Sequence, residues 1–122
     1  MKTITSRQCH SVKHFHTKVR GVTYNNGFWT SRQSIIQNCR VGELLQLVRD
    51  REDRDNLRVC RRRGEQIGWI EDSLAEDISE WLDDGFLVVV KISALTGGDY
   101  WGGKPTRGVN LLIEVFESQS AV

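Results

Sequence analysis

The chain has 122 residues, 39% of them hydrophobic and 27% charged, with a net charge of +1. That supplies one apolar core and leaves little room for a second domain; the longest apolar run, Phe86 to Val90, is strand-sized, which excludes a membrane-spanning helix. Three cysteines, an odd number, exclude a disulfide framework, and no apolar stretch follows Lys2 to form a secretory signal, so the expected setting is intracellular, cytoplasmic and reducing.

Residues 1–16 show no clear period and read as an N-terminal arm or an added edge strand. The domain is expected over 18–117, with an arm before it and a frayed tail over 118–122. Lys18 to Tyr24 is rich in β-formers and reads as the first strand, broken by Asn25-Asn26-Gly27. Thr30 or Ser31 caps a short helix running through Cys39, with Ile35 and Ile36 inward. Leu44 to Arg49, Leu57 to Arg62 and Gln66 to Ile70 read as strands, the last two joined by a turn at Arg63-Gly64-Glu65. Gly68 marks a close backbone approach or a bulge that re-aims Trp69. Ser73-Leu74-Ala75-Glu76 matches a capping box, and Leu74, Ile78, Trp81 and Leu82 form the apolar face of the helix it opens. Gly85 stops that helix in a left-handed cap. Phe86 to Ala94, apolar on both sides at its centre, reads as a strand covered on both faces; Val109 to Phe116 is the closing strand. The fold class is therefore mainly β with α: a small, partly open barrel of the OB-like or SH3-like kind, about six strands and two helices, in which closure removes exposed edges.

The charge is segregated along the chain. Residues 1–63 carry 14 Lys/Arg against 5 Asp/Glu, and residues 64–122 carry 3 against 11. Such asymmetry points to an anionic partner, the alternative being two halves that neutralise each other across the folded surface.

Several of these segments together resemble the HIRAN family. Val19 to Tyr24 is similar to its opening V-x-G-V-x-Y/F, Gly42 to Arg49 to its G-x-x-L-x-L-x-R strand, and Asp53 to Val59 occupies the place of its D-x-N-A-I-x-V. Gly64-Glu65-Gln66-Ile67-Gly68-Trp69-Ile70, followed by Leu74-Ala75, matches G-x-Q-I/V-G-Y/H-L … L-A, the most specific of these segments; Gly108 to Ile113 fits the closing strand. The resemblance covers about Lys18 to Glu117. It implies an OB-like barrel that binds nucleic acid, gripping single-stranded DNA and recognising a free 3′ end in proteins of DNA repair and replication. Two departures stand out: the family's D-N-P-Y-D is shortened to the run Arg51 to Asp55, without its stacking tyrosine, and Glu71-Asp72 stand where DNA-binding members carry basic residues.

The expected nucleic-acid contacts are Tyr24 and Trp69 as base-stacking rings, Arg20, Arg61 and Arg63 as cations, and Asp53 as acceptor of a terminal hydroxyl. Tyr100, Trp101, Lys104 and Arg107 join them from a glycine-rich loop over 96–108. Core packing is the alternative for the two rings, and solvated loop positions for the charges. The basic surface is expected to face the ligand and the acidic helix to lie on the far side. Cys9, His10, His14 and His16 lack the second cysteine at short spacing that a zinc site needs. No Ser-His-Asp elbow, phosphate loop or cofactor fingerprint is present, so neither metal, cofactor nor enzymatic activity is expected. The alternative function is a protein-interaction module of a DNA-processing complex, docking through the acidic helix face or a barrel edge.

Overall fold

The computed structural model describes residues 11–27, 30–53, 55–98 and 106–117. Among the described residues are β1 (Ser11–Lys18), α1 (Arg32–Ile36), β2 (Leu44–Arg49), β3 (Leu57–Cys60), β4 (Gln66–Trp69), α2 (Asp72–Asp83), β5 (Leu87–Gly97) and β6 (Arg107–Phe116). The strands are antiparallel in the order β1-β6-β5-β2-β3-β4 and form a curled, partly open barrel, mainly β as the sequence implies.

Side-chain alternation builds the core. On β6, Val109, Leu111, Ile113 and Val115 are buried, while Asn110, Leu112, Glu114 and Phe116 are half-open. Ile67, Ile70, Ile78 and Leu57 complete the interior. β5 departs from expectation, because only one of its faces is fully covered. Val90 and Ile92 are buried, but Leu87 is exposed and Val89 and Lys91 are half-buried in a row with Glu114 and Leu112. α2 packs on the core side only, its Trp81 meeting Phe15 of β1 edge-on with ring centroids 5.9 Å apart.

Residues 11–18 take the edge-strand form, pairing with β6 from Ser11↔Phe116 to Lys18↔Asn110. The strand expected over Lys18 to Tyr24 is not continuous. Gly21, at φ 75°, turns the chain, and Tyr24 donates back to the Gly21 carbonyl at 3.1 Å. What remains is a seam: Arg20 and Trp69 exchange backbone hydrogen bonds of 2.8 and 2.9 Å, tying β4 to the chain just after β1 and closing one end of the barrel. Gly68 makes that seam possible, since a Cβ there would run into the Arg20 carbonyl oxygen and Cγ1 of Val19.

The other boundaries shift by short-range chemistry. Ser31 caps α1 by accepting from Ser34 N, but the helix ends at Ile36 and a turn carries the chain to Cys39. At α2 the cap is not Ser73: the Glu71 carboxylate accepts from Ser73 N and Leu74 N, so the helix begins two residues earlier. Gly85, at φ 89°, follows its last turn as expected. The acidic C-terminus of α2 opposes the helix dipole, and Arg49 of β2 offsets it, pairing with Asp83 at 2.8 Å and donating to the Ser79 carbonyl at 2.7 Å.

Cys39 is buried, and burial, reinforced by the charge of Glu43, pushes its thiol from an ordinary 9.0 up to about 11. The unfolded chain therefore loses this proton first. Stability is expected to fall as pH rises from about 9 to about 11, and Cys39→Ala to flatten part of that decline in urea titrations across the window.

Candidate functional site

β4 carries a bulge. Cys60 pairs with Gln66 but Val59 with Gly68, so Ile67 is the extra residue, and Arg58 faces Trp69 where an unbroken register would place Gly68. The bulge thus puts the Trp69 ring on the same face as Arg58. The seam does the same from the other side, where Arg20 is the direct partner of Trp69. Cross-strand partners project from one face of a sheet, so a row Arg20–Trp69–Arg58 crosses three chain segments, with the ring in the middle.

The loop after Gly21 lays a second ring on this row. Tyr24 is 59% exposed and meets Trp69 edge-on, ring centroids 5.5 Å apart at 66°. Gly21 lies beneath the Trp69 six-membered ring, where a Cβ would stand 2.8 Å from Cζ3 and Cη2. Asn26 anchors the loop, donating to the Gln66 carbonyl at 2.6 Å and accepting from Arg32 Nε at 2.7 Å. Arg32, the first residue of α1, is only 6% exposed. Its guanidinium donates to the Gly21 carbonyl at 2.9 Å and lies 5.1 Å from the Trp69 ring centroid and 5.9 Å from that of Tyr24. It has no ion pair among the described residues, and burial pulls its pKa down.

Trp69 also borders a hollow of about 530 Å³ lined by Asp53, Asp55, Asn56, Asp72 and Glu76. Asp53 is exposed, its carboxylate accepting from Asp55 N at 3.1 Å in its own turn. The expectation that the acidic helix lies on the far side is therefore corrected. Asp72 and Glu76 sit in the first turns of α2, which starts three residues after Trp69, and the connection is too short to carry them away.

Of the arginines predicted with the rings, Arg20 stands beside Trp69, but Arg61 and Arg63 are elsewhere. Strand β3 ends at Cys60, and Arg61 to Gly64 form a turn at the opposite end of the β3–β4 hairpin, Gly64 N donating to the Arg61 carbonyl at 2.8 Å. Arg61 is an internal brace: Nε pairs with Glu43 at 2.7 Å and Nη1 with Glu65 at 3.7 Å. Arg63 is exposed on a separate hollow of about 520 Å³ with Asn38, Glu43, Arg61, Arg62 and Glu65. Arg61→Ala is expected to cost about 1 kcal/mol in urea unfolding, since its pair is partly screened, and to leave oligonucleotide affinity within about twofold. Arg107 opens β6 at the ring end of the barrel. Gln33 of α1 grips its backbone, donating to the Arg107 carbonyl at 2.9 Å and to the Val22 carbonyl at 3.0 Å. Its side chain lies against Gly98, where a Cβ would stand 2.9 Å from Nε. Tyr100, Trp101 and Lys104 lie outside the described residues, as do Cys9 and His10. Among the described residues no cluster of His, Cys, Asp and Glu is placed to hold a metal ion, and no helix is long and apolar enough to cross a membrane.

No protein-family model and no curated protein matches the chain. Solved structures do. The crystal structure of the HIRAN domain of human HLTF is similar with a TM-score of 0.60 and 16% identity, over 87% of this chain and 77% of that one. A Lactobacillus plantarum protein solved by a structural genomics consortium is similar with a TM-score of 0.59 and 15% identity, over 86% of this chain and 100% of that one. The fold is that of a HIRAN domain. Within this HIRAN-like barrel, Val19 to Tyr24 supplies the seam and the exposed tyrosine, and Gly64 to Ile70 supplies the bulged strand that holds Trp69. Two of the five segments that carry the resemblance thus meet at the site.

Three site residues escape a reading of the sequence alone. Alternation assigns Arg58 to the same face as Arg62, but the chain leaves the strand before Arg62 and only the bulge reveals that Arg58 stands beside Trp69. Arg32 and Asn26 look like ordinary polar residues of a cap and a turn. The available signal is that Arg32 sits just before the buried Ile35 and Ile36 in a helix short enough to be covered on several sides.

Proposed function

We propose that the domain binds single-stranded nucleic acid, DNA in the first place, through the corner formed by Tyr24 and Trp69. The observation that carries this is an exposed tyrosine held edge-on to a half-buried tryptophan, with cationic side chains in the same sheet row. Two rings at 66° cannot both stack on one base, but they can take successive unstacked bases, each stack contributing about 1–3 kcal/mol whatever the base. The hollow beside Trp69 suits a chain end. Its carboxylates repel phosphate and accept a hydroxyl proton, so the terminal nucleoside with a free 3′-hydroxyl fits there and an internal phosphodiester does not. Binding and positioning, not catalysis, is the proposed role, in the setting of DNA repair or replication.

The test is fluorescence anisotropy with labelled oligodeoxythymidylates bearing a 3′-hydroxyl or a 3′-phosphate, over a range of salt. Affinity that falls as salt rises, and falls again with the 3′-phosphate, supports the reading. Absence of binding to every strand at tens of micromolar protein overturns it.

A further inference from the structure

Two guanidiniums flank Trp69 in one sheet row, and the fold makes little use of either. Arg58 Nε is buried without a hydrogen-bond partner, and Arg58 has no ion pair among the described residues. A buried donor left unmade costs free energy, more so when it is charged, and an apolar side chain of similar length would fill the position at no such cost. Arg20 is exposed, its field reaches Glu71, and it has no salt bridge among the described residues. Behind the ring Arg32 adds a third guanidinium, hydrogen-bonded but without a carboxylate. The fields of Arg58 and Arg32 also reach a common point: both pull the thiol of buried Cys60 down against the burial that raises it. The carboxylates, in contrast, gather in the hollow of Asp53, Asp55, Asp72 and Glu76, so Trp69 belongs both to the cationic row and to the wall of an acidic recess.

We propose that Arg20 and Arg58 form a paired phosphate seat that holds the backbone of the bound strand on the two sides of Trp69. This rests on the reading of the ring corner as a single-strand site and adds how the strand lies across it. Strands in a sheet are about 4.8 Å apart, so the Cα atoms of Arg20 and Arg58 are about 10 Å apart with the ring between them. That separation lets two long, forked side chains reach the phosphates on either side of one stacked nucleotide. The strand then runs along the cationic row and ends at the acidic recess. The unmade hydrogen bond of Arg58 is filled when the ligand arrives, so the position serves binding at the expense of the free fold.

The full chain is titrated with a single-stranded thymidylate of about eight nucleotides, once with its natural phosphodiester backbone and once as the uncharged methylphosphonate. Arg58→Met is compared with the unchanged protein, and thermal unfolding is recorded for both. The expected result is a phosphodiester affinity at least about fivefold weaker in Arg58→Met, with the salt slope shallower by about 0.7 per lost phosphate contact. The methylphosphonate should bind both proteins alike, and the melting temperature of Arg58→Met should stay the same or rise. Arg20→Met, at an exposed position, should weaken phosphodiester binding in the same way without a folding penalty. Arg58→Met that melts markedly lower while binding and slope are unchanged would mark Arg58 as a structural brace and overturn the seat. A methylphosphonate strand bound as tightly as the phosphodiester by the unchanged protein would overturn the seat and leave the stacking site standing. No binding of either strand would remove both.

Discussion

Gly68→Ala is expected to destabilise the domain by about 3 kcal/mol, read as a lower urea midpoint, because the methyl group has nowhere to go. The atoms it would meet are the Arg20 carbonyl oxygen and Val19 Cγ1. The first of these is backbone and is held in the seam by the hydrogen bonds that Arg20 and Trp69 exchange at 2.8 and 2.9 Å. Relief requires the seam to part, and among the described residues it is the one backbone pairing between β4 and the β1 side, supported by the Asn26 side chain on the Gln66 carbonyl. Gly64→Ala is the control. Gly64 also has a positive φ, 96°, but no atom lies within 4 Å of its Cβ position, so only backbone strain of about 1–2 kcal/mol is expected. Equal losses for the two substitutions would mean that conformation, not close approach, explains Gly68.

Tyr24→Ala is expected to weaken oligonucleotide binding by about 5- to 150-fold, the worth of one stacked base at 1–3 kcal/mol. The loss of stability should be about 1 kcal/mol, because the tyrosine is largely exposed and its main contact is one edge-on ring pair. Tyr24→Phe keeps the ring and should bind within about twofold of the unchanged protein. Anisotropy titration and thermal unfolding on the same samples separate the two effects. Trp69→Ala is less informative, since that ring also covers Gly21 and the Arg32 guanidinium, and its removal would expose both. An unchanged affinity in Tyr24→Ala would remove the stacking corner as the binding surface.

These two substitutions mark different levels of legibility. The glycine-tryptophan pair is visible in the chain, and a close approach or a bulge is inferable from it; the structure contains both, on one strand. The apolar face of α2 and the bounds of β2 follow from side-chain period, because burial is cheapest when the period of the side chains matches that of the backbone. At the start of α2 a capping box at Ser73 is a good local solution, but the Glu71 carboxylate, accepting from the amides two and three residues on, is the one used. Arg61 shows the same limit more strongly. Nothing local says that Glu43, 18 residues earlier, will take its charge.

The amino-acid order by itself determined the class of fold, the antiparallel strands with their inward faces, the apolar stripe of α2 and the two rings to watch, because each of these depends on neighbours within a few residues. Only the tertiary structure decided which charges stand by those rings. One extra residue in β4 turns Trp69 toward Arg58, a two-residue link brings Asp72 and Glu76 to the hollow it borders, and the distant Glu43 withdraws Arg61 from the site. Charge runs carry no such information, since a Coulomb interaction depends on separation in space and on burial, both of which are set only when the strands come into register.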